Sequence, residues 1–198
     1  ITITVEGPIG SGKTRIAEIA ILQSLLDNPY SYIFYLAPFR SLAFEIEETL
    51  GSTFTPLGYK VSHLYGGAQF NSIDNMMIQD SHILIATPEK AKAILRYNDE
   101  LASRIKLVII DEGHLLGEEK RYVTNEMFTE ELRVMVKRNK GKIILLSAVL
   151  PNSADISKWI TSNENQIAKS DWRPSTQRFG YLEFTGSTVN LEWKGEEP

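Results

Sequence analysis

The chain has 198 residues, 42% of them hydrophobic and 23% charged, a size that suits one large domain or two small ones and can bury a sizeable core unaided. It has no cysteine, which excludes disulfides, thiolate metal sites and cysteine nucleophiles and fits a reducing, cytoplasmic setting. No apolar run approaches the roughly 18 residues of a membrane span, no signal-peptide pattern opens the chain, and a net charge of -4 argues against a surface that grips nucleic acid all over, though not against a local cationic strip.

A strand is predicted at once, "ITITVE" (1–6), and so abrupt a start points to a piece of a longer protein. "GPIGSGKT" (7–14) follows, and then a helix, "KTRIAEIAILQSLL" (13–26), with Ile16, Ile19, Ala20 and Ile21 expected near one side. Further strands are expected at "YIFYLA" (32–37), "KVSHLY" (60–65), "HILIAT" (82–87), "KLVIID" (106–111) and "KIILLSA" (142–148). Their near-continuous Ile, Leu and Val content fits strands covered on both faces. "NEMFTEELRVMVKR" (125–138) sets Phe128, Leu132, Met135 and Val136 on one helical face. "NSADISKWI" (152–160) reads as a short helix capped by Asn152 or Ser153. From about 171 to 198 the chain is expected to run as a loop into an extended exit segment. Strand–helix alternation predicts one α/β domain: a doubly wound, mostly parallel sheet with helices on both faces and its ligands beyond the carboxyl ends of the strands.

The stretch from Gly7 to Thr14 has the spacing G-x-x-x-x-G-K-[ST], met by Gly7, Gly12, Lys13 and Thr14, with Pro8, Ile9, Gly10 and Ser11 between. Loop N–H groups and a helix start can cradle phosphates there. Lys13 would bring a mobile charge to the β- and γ-phosphates of ATP, and Thr14 a hydroxyl for Mg²⁺. A glycine-rich turn matching by chance is the plain alternative. Further on, the strand of "KLVIIDEGH" delivers Asp111 and Glu112 to its carboxyl end. Asp111 can hold Mg²⁺ through water, and Glu112 can polarise an attacking water as general base. Alone, such a pair is as easily two solvated acids.

Together these stretches resemble the superfamily 2 DExH helicases (the DEAD/DEAH box group). "GPIGSGKT" is similar to motif I, "LAPFRSLAFE" (36–45) to motif Ia, and "YGG" (65–67) to a glycine-containing turn. "ATPEK" (86–90) is similar to motif Ib, "DEGH" (111–114) to motif II, and "LSAVLPNSADISKWI" (146–160) to motif III with its helix. "TPEK" and a later "WRPS" resemble the superkiller-like branch. The resemblance implies the first RecA-like domain of such an enzyme. By it, Pro38, Arg40, Ser41, Gly66, Thr87, Pro88 and Glu89 would touch a single nucleic-acid strand, RNA or DNA, without reading its sequence. His114 and Ser147 would couple the γ-phosphate end of the nucleotide site to the strand side. Each has a plain reading too: Pro38 and Pro88 could start helices, Ser41 and Thr87 could cap them, and Arg40 could be a solvated cation. His63 and His82 lack metal-ligand spacing, and Met76, Met77 and Trp159 read as packing. "GEEKRY" (117–122) reads as a solvated loop or helix start. Trp172 and Arg173 could pack the exit segment or stack on a partner.

Motif III in the family reads S-A-T; here it is Ser147, Ala148 and Val149, so one hydroxyl is lost. The adenine-reading motif upstream and the second RecA-like domain, with its arginines, lie outside this sequence. The expectation is a domain that hydrolyses ATP weakly alone and cannot unwind. Two alternatives stay open: a P-loop switch or motor acting on protein, and a nucleotide-binding scaffold.

Overall fold

The structure, a computed structural model, describes residues 2–67, 69–116, 120–150, 152–174 and 179–194. Its centre is a seven-stranded sheet: β1 (Ile3–Glu6), β2 (Tyr32–Leu36), β3 (Val61–His63), β4 (Ile83–Ala86), β5 (Ile105–Ile110), β6 (Lys142–Ser147) and β7 (Ile167–Lys169). The order across the sheet is β3-β4-β2-β5-β6-β1-β7, and every pair is parallel. Every predicted strand forms, five of them shortened by a residue or more and β5 shifted by one, starting at Ile105 and ending at Ile110. The seventh, Ile167–Lys169, was not predicted: only three residues long, it is recruited by pairing with β1.

The strands alternate cleanly because neighbouring side chains leave a pleat on opposite faces. Ile33, Tyr35, Ile83, Ile85, Leu107, Ile109, Ile144 and Leu146 pack on one face against α1 (Lys13–Asp27) and α2 (Arg40–Phe54). Phe34, Leu36, Leu84, Val108, Ile110, Ile143 and Leu145 pack on the other. Their partners there come from α3 (Ser72–Gln79), α4 (Pro88–Tyr97), α5 (Asp99–Arg104), α6 (Lys120–Arg138) and α7 (Ser153–Thr161). This is the expected doubly wound α/β sheet.

The expected inner face of α1 needs correction. Ala17, Ile21 and Leu25 are fully buried, whereas Ile16 and Ile19 are 39% and 69% exposed. Apolar residues surround this helix, so periodicity alone could not choose a side. The buried stripe carries Glu18, whose carboxylate is held by Arg15 at 2.5 Å. On α6 the expected face holds: Phe128, Leu132 and Val136 are buried and Met135 packs beside them. The cap of α7 also differs: Asn152 holds the N-cap position but its side chain makes no capping bond. The exit segment folds into a two-stranded antiparallel hairpin, β8 (Phe179–Thr185) and β9 (Thr188–Lys194). Residues 117–119 of the predicted solvated stretch, and Ser175 of "WRPS", lie outside the described residues. No helix among the described residues is long and apolar enough to cross a membrane.

Candidate nucleotide site and adjoining strand-end loops

Six of the seven parallel strands deliver a candidate loop at the carboxyl end, so strand order arranges the loops in space. Loops after β3, β4 and β2 carry Gly66, Thr87–Glu89 and Pro38–Ser41 on one half of the sheet edge. On the other, the carboxyl ends of β5, β6 and β1 carry Asp111–His114, Ser147 as the last residue of β6, and Gly7–Thr14 running into α1. The two halves meet between β2 and β5.

After β1 the backbone turns through Pro8 and Ile9, with Ser11 N donating to Pro8 O at 3.1 Å. Gly12 lies at φ 91°, in the left-handed region that glycine enters without penalty, and beyond its chain neighbours nothing crowds the place its Cβ would take. The helix starts at Lys13, with Thr14 in its first turn. Lys13 Nζ folds back to donate to Gly7 O (2.6 Å) and Pro8 O (3.0 Å). An ammonium has three donors, so one remains to reach a phosphate oxygen. The loop therefore fits a triphosphate: the backbone at Gly12 is uncrowded, its helix start is unblocked and its cation is at hand.

Asp111 follows β5 directly, and both its oxygens have partners. Oδ1 accepts from Glu112 N at 2.8 Å, and Oδ2 accepts from the hydroxyl of Tyr35 at 2.7 Å. Each oxygen keeps a second lone pair, enough for a metal-bound water. No group of three or more His, Asp or Glu residues suited to holding a metal occurs among the described residues. Asp111 and the Thr14 hydroxyl are the kind of donors Mg²⁺ takes, since it is usually held by one or two protein oxygens, substrate phosphate and water.

Glu112 sits at φ 52°, ψ 50°, a left-handed conformation unusual for a residue with a side chain. The bend carries its carboxylate to 3.1 Å from His114 Nδ1. A carboxylate only accepts, so in this geometry Nδ1 carries the proton. Nδ1 is also 3.5 Å from Ser147 Oγ, and that hydroxyl donates to Val149 O at 2.9 Å. Ser147 O accepts from Gly7 N at 3.1 Å. A continuous polar chain thus runs Glu112–His114–Ser147–Gly7, from motif II through motif III to the phosphate loop. Between its acids and His114, Gly113 allows close packing: a Cβ there would meet Leu145 Cγ at 2.8 Å.

On the other half, Thr87 caps α4, its hydroxyl accepting from Lys90 N at 3.4 Å, and Pro88 takes the first helical position. Ser41 does not cap α2: the N-cap position is Phe39, and Arg40 and Ser41 are exposed in the first turn. Pro38 is half-buried just before that helix, and Glu89 is exposed beside Pro88. Gly66 bends left-handed at φ 100°. His63, set aside as a metal ligand, is buried against the Tyr65 ring at 4.1 Å, and Glu47 Oε2 lies 3.7 Å from its Nδ1. Met76 is exposed rather than packed. Trp159 does pack, and its Nε1 donates to Glu130 at 2.8 Å.

Two residues here had no sequence signal, and a third, Pro174, stood out only as part of "WRPS". Tyr35 looks like any aromatic in a buried strand. Glu6, the last residue of β1, is buried and takes Leu150 N at 3.4 Å and Lys169 Nζ at 3.1 Å, tying the motif III loop and β7 to the phosphate-loop strand. Pro174 lies over the loop tip: a Cβ on Gly10 would come 2.8 Å from its Cγ. Trp172, in the same passage, is exposed.

A phosphate loop after an inner parallel strand, with an acid pair after β5 one strand beyond β6, defines a P-loop α/β nucleotide-binding domain. The chain belongs to the DEAD/DEAH box helicase family, whose model matches residues 2–156. It is 50% identical over 191 residues to Hachiman protein HamB of Bacillus cereus, covering 96% of this chain and 17% of that protein. It is 34% identical over 173 residues to ATP-dependent DNA helicase Hel308 of Pyrococcus horikoshii, covering 87% of this chain and 22% of that one. Among solved structures, DUF1998 helicase MrfA bound to DNA superposes with a TM-score of 0.69 at 22% identity, over 86% of this chain and 24% of that one. That likeness bears on the RecA-like fold. The chain thus spans a quarter or less of the length of these relatives.

Proposed function

We propose that this domain is the ATP-binding half of a nucleic-acid helicase or translocase, working with a second RecA-like domain. The observation that carries this reading is the strand order, which groups the carboxyl ends of β1, β5 and β6 on one half of the sheet edge and those of β2, β3 and β4 on the other, with Tyr35 bonded to Asp111 across the join. The residues 7–14 would wrap the triphosphate, with Lys13 at the β- and γ-phosphates. Thr14 and, through water, Asp111 would hold Mg²⁺, which offsets phosphate charge when bound. Glu112 would take a proton from the attacking water, with His114 fixing its carboxylate. Pro38, Arg40, Ser41, Gly66, Thr87, Pro88 and Glu89 would hold the sugar-phosphate backbone of a single strand. Movement of that backbone would reach the phosphate loop through Ser147. Arginines of the second domain would complete the γ-phosphate site, so hydrolysis by this domain alone is slow. We assign a cytoplasmic setting, in keeping with the lack of cysteine.

The test is ATP hydrolysis by the intact protein with and without single-stranded RNA and DNA. Stimulation by one of them, abolished by Lys13→Ala, is the expected result. Brisk hydrolysis indifferent to every polynucleotide would point instead to a switch or motor acting on protein.

A further inference from the structure

Lys90 is a fully buried cation, its side chain 1% exposed. Its Nζ donates to Asp74 Oδ2 at 2.7 Å and to Gln69 O at 2.7 Å. Asp74, also buried, closes the capping box of α3, accepting from Asn71 N at 2.9 Å on the same oxygen while its own N–H donates to Asn71. Lys90 stands in the first turn of α4, directly after Thr87, Pro88 and Glu89. On its other side is the left-handed bend at Gly66, where a Cβ would lie 3.8 Å from the ammonium. One buried charge thus touches the loop after β3, the start of α3 and the start of α4.

Burying an ion pair is costly, and apolar side chains of similar volume often serve stability as well or better. What the pair provides is a fixed geometry that a greasy contact does not impose. With its side chain 1% exposed, Lys90 does not reach a solvated phosphate from this position.

We propose that Lys90 and Asp74 are positioning residues for the nucleic-acid strand, clamping the Gly66 bend to the Thr87–Glu89 turn so that both face one backbone track. This rests on the nucleic-acid reading given above. Neither residue touches the strand; both act by fixing the spacing of two loops that do.

The clamp is tested in the intact protein with Asp74→Asn/Lys90→Met, which neutralises the pair yet keeps an acceptor for the α3 cap. Lys90→Arg serves as the conservative control. The probes are labelled oligo(dT) and oligo(U), titrated across a range of salt, with a non-hydrolysable ATP analogue alongside. The double variant is expected to bind the better oligonucleotide at least about tenfold more weakly, with analogue affinity within about twofold of the unsubstituted protein. Its salt slope is expected to match, because no cation that neutralises a phosphate is removed. Lys90→Arg should recover most of the affinity. Unchanged oligonucleotide binding by the double variant overturns the clamp. A salt slope smaller by about one makes Lys90 a direct phosphate ligand and overturns it too. A parallel loss of analogue binding or of cooperative unfolding makes the pair general scaffolding, and the clamp is overturned in that case as well. If the unsubstituted protein binds neither oligonucleotide, the nucleic-acid reading itself falls, and the clamp with it.

Discussion

The hydroxyl of Tyr35, near the end of β2, donates to Asp111 Oδ2 at 2.7 Å across 76 residues of sequence. Tyr35 is fully buried; three residues on, Pro38 opens the side proposed to contact the strand, while Asp111 belongs to the proposed nucleotide side. Burial, then the charge of Asp111 and its hydrogen bond, push this phenol well above its usual range, so it stays a donor at neutral pH. Because the folded state holds the proton more tightly, the stability it contributes is complete below about pH 10 and is lost as pH rises beyond.

Tyr35→Phe keeps the ring in the core and removes only this bond. The expected cost in stability is about 1 kcal/mol. Freed of one partner, Asp111 should hold Mg²⁺ less well oriented, so the Mg²⁺ concentration for half-maximal binding of an ATP analogue should rise severalfold. Analogue binding without Mg²⁺ should not change. An unaltered Mg²⁺ titration would mean the hydroxyl only fills the core.

Glu112→Gln preserves shape and removes the proposed base. Loss of a positioned general base costs about 10²–10⁴ in rate. The expected pattern is ATP affinity near that of the unsubstituted protein, with turnover lowered by that factor, read by single-turnover hydrolysis. Turnover within a few-fold of normal would move the base elsewhere.

Ser147→Ala cuts the chain between His114 and the phosphate loop at its side-chain link while leaving the backbone bond from Gly7 N in place. Strand-stimulated hydrolysis should fall more than basal hydrolysis, and ATP affinity should hold. Equal loss of both rates would assign Ser147 to the chemistry rather than to coupling. Val149 is exposed and offers Ser147 only its backbone carbonyl, so restoring threonine there should leave the 2.9 Å bond intact.

His63 is held neutral. Burial lowers its affinity for a proton, Glu47 works the other way, and the Arg40 charge adds to the lowering. The depressed value means its contribution to stability is present above about pH 6.5 and is lost as pH falls below it. The Tyr65 ring lies against it, and the Tyr65 hydroxyl, bonded to Glu47, is pushed up to about 12, so the tyrosine does not change charge in that window. Thermal unfolding at pH 5 and pH 7.5 should separate more for the unsubstituted protein than for His63→Gln. Identical acid sensitivity in the variant would acquit His63.

The phosphate loop, the acid pair and six of the seven sheet strands were legible because each depends on neighbours in sequence, whereas β7 forms only through its pairing with β1. Glycine at a left-handed turn, a lysine at a helix start and an alternating apolar run are set by backbone sterics and by the period of the pleat. What only the tertiary structure decided is which distant groups meet: Tyr35 on Asp111, Pro174 over Gly10, Lys90 on Asp74, and the buried side of α1. The order β3-β4-β2-β5-β6-β1-β7 fixes those meetings. That order follows from how seven strands and their crossovers bury two faces at once, a constraint on the whole chain that no short stretch of residues contains.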